Sequence, residues 1–146
     1  MNVSRLILFA AMGLAIGAAS FSAGFSVGQE KKNSRLYELR IYTTLPGRLP
    51  ALNKRFAEHT TKLFEKHGMK NEMYWVPTDD ARNARKENTL IYVVSHANQE
   101  AADKSWKDFQ ADPDWVKARD ASEKDGKIVE KVERVFMTPT DYSAGK

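Results

Sequence analysis

From Leu36 to Thr43 apolar and polar positions alternate. Tyr37, Leu39 and Ile41 fall on one side of an extended chain, and Glu38, Arg40 and Tyr42 on the other. That period of two is the mark of a strand. Pro46-Gly47 reads as a turn, and Pro50 suits the first turn of a helix. Leu49, Leu52, Phe56, Leu63 and Phe64 then recur at helical spacing, with Lys54, Glu58, Lys62 and Lys66 outside. Glu58 and Lys62 form an i,i+4 pair in the favoured order. Gly68 after His67 is a stop signal. A second strand is expected over Lys70 to Val76, closed by Pro77, and the polar stretch 77–88 reads as a loop. Thr89 to Ser95 is apolar on both faces, which suits a central strand. Asn98 can cap a helix holding Ala101, Ala102, Trp106 and Phe109, and Asp112-Pro113 restarts it with Trp115 and Val116 inside. Asp125-Gly126 makes a turn before a last strand, Ile128 to Thr138, and Pro139 to Tyr142 leave the sheet. No internal repeat of solenoid length is present.

The order βαββαβ predicts an α+β, ferredoxin-like domain: an antiparallel four-stranded sheet with two helices on one face. The other face is then uncovered. It is expected to carry Tyr42 and the large residues of strands two and three, more apolar area than a monomer leaves exposed. Two such sheets packed face to face would solve this, so the pattern predicts a homodimer with an inter-sheet cavity, a dimeric α/β barrel.

The start of the chain is of a different kind. Leu6 to Gln29 is an uncharged run of 24 residues, preceded by Arg5 and ending in small residues. Two readings stand. A signal peptide fits the basic start, the apolar Leu6 to Ile16 and a cleavage site after Gly17-Ala18-Ala19. An uncleaved anchor fits the length and the GxxxG pairs Gly13/Gly17 and Gly24/Gly28, although Lys31, Lys32 and Arg35 follow the run and reverse the usual charge bias. Residues 1–29 are thus a leader or anchor, 30–35 a linker, and 36–146 the domain. The protein is expected to be exported, periplasmic or secreted, touching a membrane only through residues 6–29 if the leader stays.

Composition narrows the chemistry. In 146 residues there is no cysteine, which excludes disulfides, thiolate metal sites and a cysteine nucleophile. The net charge of +4, from 23 basic and 19 acidic residues mixed along the chain, is no nucleic-acid footprint.

The segments YELRIYTTLPGRLPAL, FAEHTTKLFEKHGMK, SWKDFQADPDWVKARDASEKDG and VERVFMTPTDYS, in this order, resemble the NIPSNAP family over about Tyr37 to Ser143. The resemblance implies the dimeric α/β-barrel fold. That superfamily includes small cofactor-free monooxygenases and haem-dependent enzymes, and eukaryotic NIPSNAP members are linked to mitochondria and vesicle traffic. It implies a fold more firmly than a reaction.

Candidate chemical residues follow from position. Glu38 and Arg40 lie two apart on one strand face, so both point the same way. Arg40 could clamp an anion and Glu38 accept a proton; the plainer reading is a cross-strand ion pair orienting the dimer. His59, three after Phe56 and four before Leu63, falls on or beside the apolar stripe, as base or ligand or as a hydrogen-bonded structural group. His67 closes its helix and reads as structural. His96 follows the third strand, where it could handle protons or bond a turn. No metal site is expected: His59 and His67 are about 12 Å apart along a helix, and no HExxH is present. No cofactor is read from the sequence, and haem held by one histidine stays open, because it leaves no local signature. Trp75, Trp106 and Trp115 are core anchors by default, with Trp75 on an edge strand the one assigned to a pocket or dimer contact. Tyr42 joins Arg40 and Trp75 as the expected ligand-binding set, and Tyr74 and Tyr92 depend on register. Serine-nucleophile and phosphate-loop motifs are absent. The expected function is an exported dimeric domain binding a small, partly apolar molecule, with oxygen-dependent oxidation the chemistry the resemblance suggests. The rival is a non-catalytic protein-interaction module.

Overall fold

The computed structural model describes residues 35–78 and 87–144. The expectations for the leader at 1–29, most of the linker and the middle of the 77–88 loop lie outside the described residues.

Four strands form one antiparallel sheet: β1 (Leu36–Thr44), β2 (Lys70–Trp75), β3 (Thr89–His96) and β4 (Val129–Met137), in the order β2-β3-β1-β4. The first crossover is helical throughout, α1 (Leu49–Arg55), a π turn (Phe56–Thr60) and α2 (Thr61–Lys66). The second is α3 (Gln99–Ala111) and α4 (Pro113–Ser122). This is the ferredoxin-like α+β fold that the element order implies.

Local signals explain the boundaries. Pro50 stands in the first turn of α1, and Gly68 ends α2 at φ +79°. The Asn98 side chain accepts the Ala101 N–H at 2.9 Å and opens α3. Asp112 breaks the second crossover by accepting the Asp114 N–H at 2.8 Å. The same carboxylate takes Lys66 Nζ at 2.8 Å and His67 Nε2 at 2.6 Å, so it ties the end of α2 to the α3–α4 break.

Register sorts the sheet into two faces. Rungs Tyr74–Tyr92–Arg40–Arg134 and Val94–Glu38–Phe136 lie on the side that meets the helices. Phe56, Phe64 and Trp106 pack there against Tyr42, Tyr74 and Tyr92 or reach Glu38, with ring centroids mostly 5–6 Å apart. Rungs Met73–Val93–Leu39–Val135 and Trp75–Ile91–Ile41–Glu133 lie on the open side.

This corrects the expected orientation of β1. Tyr37, Leu39 and Ile41 face outward, while Glu38, Arg40 and Tyr42 face the helices. The cause is chemical. Trp106 from α3 and His96 from the end of β3 both bring ring nitrogens under the helices. Buried donors need an acceptor, and Glu38 supplies it. The open face is consequently more apolar than the alternation suggested.

The helices cover β2, β3 and β1 but leave β4 overhanging, with Glu130 through Val135 exposed. That overhang shapes the site described next.

Candidate functional site

A cavity of about 350 Å³ opens on the helix side of the sheet, between β1 and β4, the π turn and α4. Tyr42 belongs to its floor, and Phe56, Thr60, Phe64, Phe109 and Trp115 bring four rings and a hydroxyl to its walls. The π turn sets up one wall. The Thr61 N–H reaches back five residues to the Phe56 carbonyl, and Thr60 Oγ1 donates to the Arg55 carbonyl at 3.2 Å. The wider turn directs three residues, Arg55, Phe56 and Thr60, at one cavity; such turns recur at functional sites. Trp115, Arg119 and Glu123, four residues apart, form one face of the α4 region and supply another wall.

Arg55 is 4% exposed and its charge is met in place: Nη1 donates to Ser122 Oγ at 3.1 Å and to Glu123 at 3.3 Å, and its guanidinium lies 5.1 Å from the Trp115 ring centroid. Burial pushes the Tyr92 and Tyr74 phenols well above their ordinary range, so both stay protonated.

Beyond the aromatic wall sits a sealed polar cluster. Glu38 Oε2 lies 2.9 Å from His96 Nε2 and accepts Trp106 Nε1–H at 2.6 Å, while Arg40 Nη1 donates to Oε1 at 3.2 Å. Burial alone would raise the Glu38 carboxyl, but hydrogen bonds from His96 and Trp106 and the nearby Arg40 charge outweigh it and hold the group below its ordinary value. The Arg40 guanidinium stacks 4.0 Å from the Trp106 ring centroid. His96 Nδ1, also buried, has no hydrogen-bond partner among the described residues.

The NIPSNAP family model matches residues 37–144. This chain belongs to the NIPSNAP family. Its fold is shared by a NIPSNAP family protein of Agrobacterium tumefaciens strain C58, at TM-score 0.66 and 18% identity over 79% of this chain and 96% of that one. A NIPSNAP domain protein of Burkholderia xenovorans aligns at TM-score 0.60 and 17% identity, covering 74% and 97%. A Streptomyces coelicolor monooxygenase, solved in complex with nanaomycin D, aligns at TM-score 0.51 and 14% identity, covering 78% and 95%. At such identities the likeness concerns the fold. No curated protein matches the chain significantly in sequence.

Within this NIPSNAP domain the expected site residues part company. Glu38 and His96 come together, but in the sealed cluster. Arg40 joins them there as the partner of Glu38, in an ion pair within one subunit rather than across strands of a dimer. It does not line the cavity, so it is not placed to clamp an anion there. Tyr42 lines the cavity, on the helix side and not between sheets. Trp75 lies on the open face, 44% exposed; the ligand-binding set of Arg40, Tyr42 and Trp75 is therefore not one site. His59 points outward, its side chain half exposed beside Glu58, in a surface groove between α1 and α4 away from the cavity. The helix-side placement comes from the π turn and the overhang of β4, neither of which helical spacing reveals. Phe56 and Trp115 fall at core positions of the sequence pattern, while Arg119, Glu123 and Lys127 carry no signal beyond the four-residue spacing of Trp115, Arg119 and Glu123, which could have placed those three on one wall. Among the described residues no group of His, Asp or Glu side chains is placed to hold a metal ion, and no helix is long and apolar enough to cross a membrane.

Proposed function

We propose that this NIPSNAP domain binds a small, partly apolar molecule in the helix-side cavity of each subunit, as an exported protein that pairs through its open sheet face. The observation that carries the binding is the aromatic cavity itself. Its volume falls at the lower end of the roughly 300–1,000 Å³ usual for small-molecule sites, and most of its lining comes from helices and strands. Pairing is supported by the open face, where Tyr37, Leu39, Ile41, Ile91 and Val93 join the more exposed Met73, Trp75 and Val135 in an apolar area a monomer rarely leaves wet. Export is supported by the run from Leu6 to Ile16 and the small residues after it. Oxygen-dependent oxidation of the bound molecule is favoured by the fold shared with the Streptomyces coelicolor monooxygenase.

Binding is tested by thermal shift over a panel of one- and two-ring aromatic compounds. A concentration-dependent rise in melting temperature that Phe56→Ala abolishes is expected; no response from any compound counts against the cavity. The intact mass of protein taken from its host tests the leader, with a chain starting at Ser20 the expected result. Oxygen uptake on adding the best binder separates an oxygenase from a carrier.

A further inference from the structure

The mouth of the cavity is not neutral. The exposed Arg119 and Lys127 and the buried Arg55 line the cavity against a single acid, Glu123. Glu123 is already committed: it meets Arg55 at 3.3 Å and accepts the Ile128 N–H at 3.3 Å. Arg119 donates twice to its exposed neighbour Asp120, at 3.0 and 2.9 Å. Lys127 has no acidic partner among the described residues.

The backbone around Lys127 is pinned. Before it, the Gly126 carbonyl accepts Arg48 Nη2 at 2.8 Å. After it, Ile128 is fully buried and its carbonyl accepts the Leu45 N–H at 2.9 Å. The ammonium therefore swings from a fixed stem at the rim of an aromatic chamber. A cationic ligand meets the unpaired Lys127 ammonium there, beside an Arg119 shared with Asp120. A neutral one leaves the surplus unused.

Resting on the reading that the cavity takes a small molecule, we propose that its ligand is an aromatic acid. The ring system lies among Tyr42, Phe56, Phe64, Phe109 and Trp115, and a carboxylate or equivalent anion sits at the mouth against Lys127, with Arg119 as the second cation. Carboxylate suits both, since a lysine supplies a point charge and an arginine a fork of donors.

The test uses a matched pair, 2-naphthoate and 2-naphthol, titrated into the full chain by calorimetry at low and high salt. Naphthoate is expected to bind about tenfold more tightly at low salt, with the advantage shrinking as salt screens the mouth. Lys127→Met keeps the apolar stem and removes the charge. It should weaken naphthoate about three- to fivefold, the scale of one exposed ion pair, and leave naphthol within error. Glu123→Gln should tighten naphthoate by freeing Arg55. Equal binding of the two probes, or a naphthoate preference that survives both Lys127→Met and salt, overturns the acid proposal while leaving the cavity reading standing. Binding of neither overturns both.

Discussion

His96 Nε2 stands 2.9 Å from Glu38 Oε2 with both side chains shut off from solvent. Because Trp106 shares that oxygen and Arg40 takes the other, Glu38 is the hub of three elements: β1, which carries it and Arg40, β3 and α3. Removing one partner of a buried charged pair typically costs about 3–5 kcal/mol. Glu38→Gln keeps the shape but places an amide N–H₂ where a carboxylate oxygen accepted. A loss of about 3 kcal/mol is expected, read as a lower urea midpoint at unchanged slope. A loss under 0.5 kcal/mol would show that the cluster is not what fixes α3 on the sheet.

Acid should weaken the fold through two carboxylates. Glu38 and Asp112 both titrate below their ordinary 4.5 and 3.8; for Asp112 the bonds from Lys66 and His67 outweigh burial. A carboxyl that is more acidic when folded stabilises the native state above its unfolded value, and that contribution disappears as pH falls through the folded one. Stability should therefore decline progressively below pH 4.5. Asp112→Asn should be less stable than the parent near neutrality and converge on it in strong acid. Parallel profiles from about pH 7 down to about pH 2 would refute the linkage.

Phe56 touches the rings of Tyr42, Phe64, Tyr74 and Tyr92 at once. Phe56→Ala is expected to cost about 3–5 kcal/mol, the usual range for emptying an aromatic core position. Phe56→Leu should recover part of that stability, which separates lost packing volume from lost ring contacts.

Val135 is 52% exposed and sits on the apolar rung shared with Leu39, Val93 and Met73. Val135→Lys should leave the subunit's own stability within about 0.5 kcal/mol, as surface changes usually do. By sedimentation equilibrium it should turn the proposed dimer into a monomer. A parent chain that is itself monomeric at micromolar concentration would remove the pairing from the proposed function.

Periodicity and punctuation made most of the architecture legible. Pro50, Gly68, Asn98 and Asp112-Pro113 act through local backbone chemistry, so each could be read without knowing its neighbours in space. The side of β1 that meets the helices could not. Alternation says that Leu39 and Glu38 face opposite ways; it does not say which way is in, and the decision rests with Trp106, 68 residues away. His96 stands out in the sequence for its place at the end of a strand, yet its partner lies in β1, which no spacing within one element discloses. Helical spacing likewise passes over the π turn, because Phe56 and Thr60 look like ordinary stripe residues until the widened hydrogen-bond ring turns both toward the cavity.

The two-sidedness of β1 has an evolutionary consequence. Its even-numbered residues answer to the interior polar cluster and the cavity floor, its odd-numbered ones to whatever meets the outer surface. Inserting or deleting one residue there would hand each side the other's vocabulary. Length changes in this domain should thus be confined to its connections, leaving β1 as the stretch whose spelling drifts least in count even where its letters change.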